Sequence, residues 1–155
     1  MRRLFFLCTV LLGCAPSKLT TVQGEVRVEA MGATSSLRFE ERTRIEAGGP
    51  GGAIRGSCLI RSGILVTLER PSPQEGRALS TFSIETPVGE APLGRITALL
   101  GRERFGGSCV LDVASASFEG EKVRVVGRNC LISHGEEEAR AFFDLRFEGC
   151  HFPTE

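Results

Sequence analysis

Along much of the chain, apolar and polar residues alternate with a period of two. In GEVRVEA, Val26, Val28 and Ala30 fall on one side and Glu25, Arg27 and Glu29 on the other. Successive side chains of a strand point to opposite faces, so this spacing predicts a strand with one packed and one wet face. ARAFFDLRF repeats the pattern, with Ala139, Ala141, Phe143, Leu145 and Phe147 on one face and Arg140, Asp144 and Arg146 opposite. Phe142 is the exception, an aromatic on the polar side.

Further strands are predicted at Leu37 to Ile45, Ile54 to Ile60, Gly63 to Leu68, Ala78 to Glu85, Ser108 to Phe118 and Lys122 to Ile132. Turn-forming residues punctuate them: GGPGG at Gly48 to Gly52, RPSPQEG at Arg70 to Gly76, TPVGEAPLG at Thr86 to Gly94 and HGEEE at His134 to Glu138. FEGEK, Phe118 to Lys122, reads as a hairpin loop. Glu136 to Leu145 also has good helix formers and a Glu136 to Arg140 pair at helical spacing, but strict alternation outweighs them. Ile96 to Leu100 fits either a turn of helix or a strand. Short strands at fairly regular spacing predict an all-β fold, an antiparallel β-sandwich or barrel-like domain.

The amino terminus breaks this pattern. MRR is followed by LFFLCTVLLG, ten residues without a charge. A helix rising ~1.5 Å per residue needs about 20 to cross a bilayer, so the run is too short to span and reads as an export signal. Leu11, Leu12, Gly13 and Cys14 resemble the lipobox of bacterial lipoprotein precursors. The resemblance implies cleavage before Cys14 and attachment of diacylglycerol to its thiol, with a further acyl chain, such as palmitate, on the new amino terminus. It covers only about the first fifteen residues. Gly13-Cys14-Ala15 also fits ordinary signal cleavage, which would release a soluble periplasmic or secreted protein beginning at Pro16.

One fourteen-carbon chain, at about 0.8 kcal/mol per buried methylene, holds a protein only marginally, whereas two or three on one residue make release negligible. Ala15 and Pro16 follow the cysteine in place of aspartate, which resembles outer-membrane more than inner-membrane lipoproteins. The chain then divides into a leader over residues 1–13, a lipidated tether over 14–23 and one globular domain over 24–155.

Removing the leader takes two of the 19 basic residues and none of the 19 acidic ones, for a mature net charge of −2. That balance leaves no basic footprint for nucleic acid and no polybasic membrane patch. Ten Phe with no Trp or Tyr removes the amphipathic aromatics that commonly anchor ligands and partners. With Cys8 discarded in the leader and Cys14 lipidated, Cys58, Cys109, Cys130 and Cys150 remain. An even number in an exported chain predicts two disulfides. The matching contexts RGSCLI and GGSCVL favour Cys58 with Cys109, leaving Cys130 with Cys150, although sequence permits all three connectivities.

No motif for a catalytic nucleophile, a phosphate loop or a zinc protease is present, and no cofactor is implied. Cys130, His134, Cys150 and His151 could be written as a zinc set, but adjacent Cys and His rarely reach one ion and exported thiols oxidise. The acids at Glu136 to Glu138 read as a solvated turn, not a calcium site, and Asp112 as an outward residue between inward Leu111 and Val113. Arg38, Glu40, Arg42, Arg44 and Glu46 predict a charged outer face. The expectation is an envelope lipoprotein held at a membrane by Cys14, its β-domain non-enzymatic and acting on another envelope protein. A small apolar ligand or lipid-binding module is the alternative, and an enzyme of unknown class the third.

Overall fold

Where alternation predicts strands, strands form. The computed structural model describes residues 20–46, 54–60, 63–70, 76–87, 92–115 and 122–150. The leader, Cys14, GGPGG, most of FEGEK, His151 and the side chains of Arg42 and Glu46 lie outside the described residues.

Ten strands follow one another: β1 (Thr20–Ala30), β2 (Ala33–Glu46), β3 (Ile54–Ile60), β4 (Gly63–Glu69), β5 (Leu79–Pro87), β6 (Leu93–Leu100), β7 (Glu103–Val110), β8 (Asp112–Ser115), β9 (Lys122–His134) and β10 (Glu137–Glu148). Consecutive strands pair in a curled, barrel-like sheet, except that β7 and β8 both pair with β9, and β10 lies against both β9 and β1, so the pairings return to their start. All pairs are antiparallel except β2 with β3. Inward residues of every strand form a single apolar cluster, with Leu68, Phe82, Ile84, Ile96, Phe105 and Leu145 fully enclosed. Phe82 and Phe143 meet edge to face at 5.2 Å, which adds about 0.5–1.5 kcal/mol beyond area burial.

Several expectations shift in detail. Strand β1 begins at Thr20, so Thr20 to Gln23 belong to the domain and not to the tether. Thr20 is buried and donates its hydroxyl to the Gly149 carbonyl at 2.8 Å, while Val22 points inward. Ile96 to Leu100 is strand, inside β6. The Ser108 to Phe118 strand is instead β7 and β8, broken at Leu111, whose side chain turns into the core while Asp112 stays exposed. Gly106 and Gly107 lie within β7, and at Gly107 β9 presses close: a Cβ there would run into the Leu131 carbonyl oxygen. Phe142 is not an open apolar patch, since the Arg27 guanidinium lies 4.8 Å over its ring.

Two seams interrupt the wall of long ladders. Among the described residues, β2 and β3 meet only at Ile45–Ile54 and Glu46–Arg55, and β7 meets β9 only at Gly106–Ser133. One disulfide bridges the β7–β9 seam and the other ties β3, beside the β2–β3 seam, to the chain just past β10, a connectivity that corrects the expected one. Cys58 bonds Cys150, and Cys109 bonds Cys130. Extending the Gly106–Ser133 register brings Cys109 directly opposite Cys130, and their Cα atoms are 5.3 Å apart. Cys58, inward on β3, meets Cys150 just past β10 across the inside of the wall, with Cα atoms 4.9 Å apart. Similar sequence contexts carry no pairing information; strand adjacency does.

Strand directions define two ends. At one, Arg77 reaches Glu137 at 2.8 Å, Glu103 and the Met31 sulfur, joining the β1–β2, β6–β7 and β9–β10 turns. Glu103 accepts its hydrogen bond through Oε1 at 3.2 Å, whereas Oε2 is charge-paired at 2.9 Å without hydrogen-bond alignment. At the other end Thr20 enters and β10 leaves. Because β3 runs parallel to β2 and starts level with Thr20, the turns after β3, β5 and β7 lie beyond Thr20 on this side.

Candidate functional site

The described feature with the character of a binding surface is an apolar edge on the outside of β3 to β7, at the Thr20 end. Cross-strand register sets Leu59 opposite Leu65, Leu65 opposite Glu85, Glu85 opposite Arg95, and Arg95 opposite Ser108. Below this row Gly63 faces Pro87 and Leu93 faces Val110. Leu65 is 41% exposed, and Leu93 and Val110 are each 63% exposed. Leu65 and Leu93 border a groove of about 650 Å³ lined also by Leu59, Glu85, Pro87 and Arg95, with Val110 beside Leu93.

Local sequence creates this edge because apolar residues occupy both faces of the same strands. In GILVTLE, Ile64, Val66 and Leu68 turn inward while Leu65 turns outward. In LGRITALL, Ile96, Ala98 and Leu100 turn inward while Leu93 is left outside. Two close approaches shape the floor. A Cβ on Gly94 would strike Leu111, and one on Gly63 would come within 2.6 Å of the Thr86 carbonyl oxygen. Leu111 donates its N–H to the Pro92 carbonyl at 3.0 Å, which fixes the break between β7 and β8 beneath Leu93. Glu85 and Arg95 pair at 3.7 Å with both side chains mostly exposed, so the edge carries little net charge.

The residues weighed for chemistry lie elsewhere and are engaged. His134 sits at the Arg77 end, its Nδ1 3.1 Å from the Arg104 carbonyl oxygen and its ring against Phe105. Cys130 and Cys150 are in separate disulfides, so neither offers a thiolate to zinc beside His134. Glu137 is turned to Arg77, while Glu136 and Glu138 are exposed. Asp112, Arg38, Glu40 and Arg44 are exposed, as expected.

The strongest charge pairing is on the outer face of β9 and β10, where Arg124 donates through Nε to Asp144 Oδ1 at 2.9 Å and through a terminal nitrogen to Oδ2 at 2.6 Å. Hydrogen bonding from Arg124 holds the Asp144 carboxyl below its ordinary pKa, against a smaller upward push from partial burial, and raises the guanidinium's own value.

Sequence reasoning missed the outward Leu59, Leu65, Leu93 and Val110. The available signal was apolarity on both faces of one strand, which alternation alone disguises. Comparison with protein-family models, with curated proteins and with solved structures finds no match. Two disulfides in an all-β domain mark a protein that matures outside the reducing cytoplasm. Among the described residues no helix is long and apolar enough to cross a membrane.

Proposed function

We propose that this is a lipid-anchored envelope lipoprotein whose β-domain performs a non-enzymatic, structural or protein-interaction role, more in keeping with the outer membrane than the inner. The observation that carries the reading is the Leu11-Leu12-Gly13-Cys14 sequence, resembling a lipobox, six positions ahead of a disulfide-bonded domain that begins at Thr20. Two features support a role exercised through the surface. The inward side chains pack into one continuous cluster, which disfavours carriage of an apolar ligand inside the wall. His134 and the four disulfide cysteines are engaged in structural contacts, which disfavours an enzyme built on them.

Mass spectrometry of the mature amino terminus after expression in a Gram-negative host tests the anchor. A terminus at Cys14 carrying diacylglycerol and an acyl chain is expected, together with release from membranes in Cys14→Ser. An unmodified terminus at Pro16 overturns the reading and leaves a soluble exported domain.

A further inference from the structure

We infer that the apolar edge formed by Leu59, Leu65, Pro87, Leu93 and Val110 rests on the lipid bilayer in which the chain is anchored, leaving the Arg77 end toward water. The inference depends on Cys14 carrying lipid and adds an orientation to that anchor.

Chain geometry supplies the first reason. From Cys14 to Thr20 there are six residue steps, and a fully extended chain covers at most about 3.6 Å in each, so Thr20 stays within roughly 22 Å of the lipidated sulfur's backbone. Thr20 pairs with Ile45 and Ile45 with Ile54, so Thr20 is level with the start of β3, which runs on from there, away from the Arg77 end, to the turn where β4 starts, β5 stops and β6 starts. Strands β3 and β4 stand two and three places from β1, about 10 and 15 Å around the wall at ~4.8 Å per strand, and Leu59 lies about 17 Å past Ile54 at ~3.4 Å per residue. The edge thus projects beyond Thr20 by less than the tether's reach, which lets Leu59 and Leu65 meet the surface the tether is fixed to, with Leu93 and Val110 continuing the same edge.

Charge supplies the second reason, because the two ends differ. Among its described residues the edge offers aliphatic side chains around the neutralised Glu85–Arg95 pair, and the turn sequences that bound it carry one residue of each sign, Arg61 and Glu90. Such an edge can enter the headgroup region without a net charge. At the far end are Arg77, Glu103, His134 and the acids Glu136, Glu137 and Glu138. Met31 is exposed there too, but its sulfur lies 2.6 Å from the Arg77 guanidinium, inside a polar cluster.

The absence of tryptophan from the sequence makes the orientation directly measurable. Leu93→Trp and, separately, Val110→Trp place one indole on the edge, and Met31→Trp places one at the far end. The full-length lipidated proteins are reconstituted into vesicles of phosphatidylcholine with a minority of phosphatidylglycerol, and into the same vesicles with brominated phosphatidylcholine.

Bromolipid is expected to remove most of the Leu93→Trp and Val110→Trp emission, with a blue shift, and to leave Met31→Trp unchanged. Flotation with the vesicles, read in parallel against Cys14→Ser, reports the anchor separately. Flotation without quenching at either edge position overturns the orientation and leaves the anchor standing. A blue-shifted but unquenched edge indole assigns the edge to a protein or to a second copy of the chain, and also overturns it. Failure of the parent protein to float overturns anchor and orientation together. Two edge positions guard against one substitution disturbing the fold.

Discussion

The wall running from β9 through β10 and β1 to β2, and the two seams that complete it, are held by different chemistry. In the wall, β10 pairs with β1 from Thr21–Glu148 to Ala30–Ala139, and with β9 from Lys122 to His134 across a bulge in β9 at Arg128 and Asn129, opposite Phe142. Each ladder hydrogen bond contributes only about 0.5–1.5 kcal/mol net, but long ladders accumulate many. At the seams the ladders nearly vanish; Cys109–Cys130 bridges β7 and β9 directly, and Cys58–Cys150 ties β3 to the chain just past β10. Backbone pairing therefore holds the long ladders, including the one between the first and last strands, while covalent bonds reinforce the sheet beside its two shortest ones.

The largest effect should come from the bridge that starts on β3, beside the β2–β3 seam. Cys58 and Cys150 are 92 residues apart, and loop-closure entropy assigns such a bridge about 4.6 kcal/mol, against about 3.3 kcal/mol for the separation of 21 between Cys109 and Cys130. Urea unfolding of Cys58→Ala/Cys150→Ala should show the greater loss, and Cys109→Ala/Cys130→Ala the lesser. Equal losses would break the link between seam and loop length.

Within the wall, overpacking is the corresponding probe. The Phe143 ring lies over Gly127, where any Cβ would collide with it, so Gly127→Val should cost about 1–3 kcal/mol with both disulfides still formed, read by urea midpoint and thiol titration. A smaller effect is expected at the Arg77 end. Its ion pairs are partly exposed, so Arg77→Ala should cost about 1 kcal/mol and speed amide exchange at Met31–Gly32 and Gly101–Arg102 while leaving the Thr20 end protected.

The smallest effect is electrostatic. Asp144 has a lowered folded-state pKa, so its contribution is complete above the ordinary carboxylate value and is lost as pH falls from there through the lowered one. About half of its side chain is exposed, so screening keeps the contribution small. Asp144→Asn should be slightly less stable than the parent near neutrality and indistinguishable from it in strong acid, by thermal unfolding across pH.

Much of this architecture was legible because burial on one face leaves a period-two trace. The strand Ile54 to Ile60 was read to the residue, and the inward set Ala139 to Phe147 is buried as expected. Three features hid where another constraint overrode the pattern. Gly106 and Gly107 fall outside the strand predicted from Ser108, yet both are in β7, and β9 leaves no room for a side chain at Gly107. Thr20 looks like tether, but its hydroxyl is satisfied by a carbonyl 129 residues away. Cys109 resembles Cys58 in context, yet its partner follows from β7 lying beside β9, a long-range adjacency with no local signature. The apolar edge was missed for the converse reason: outward leucines blur the alternation that locates strands.

The pairing of β1 with β10 has a consequence in time. A chain made amino end first exposes β1 early, but one of its two partners, β10, is made only after the eight strands between them. Until Glu137 to Cys150 have arrived, β1 keeps an open hydrogen-bonding edge and Cys58 lacks its native partner. Closure of the wall thus waits on β10, and loss of Gly149 and Cys150 alone would strip the Thr20 hydroxyl of its acceptor and Cys58 of its bond while leaving β1 paired.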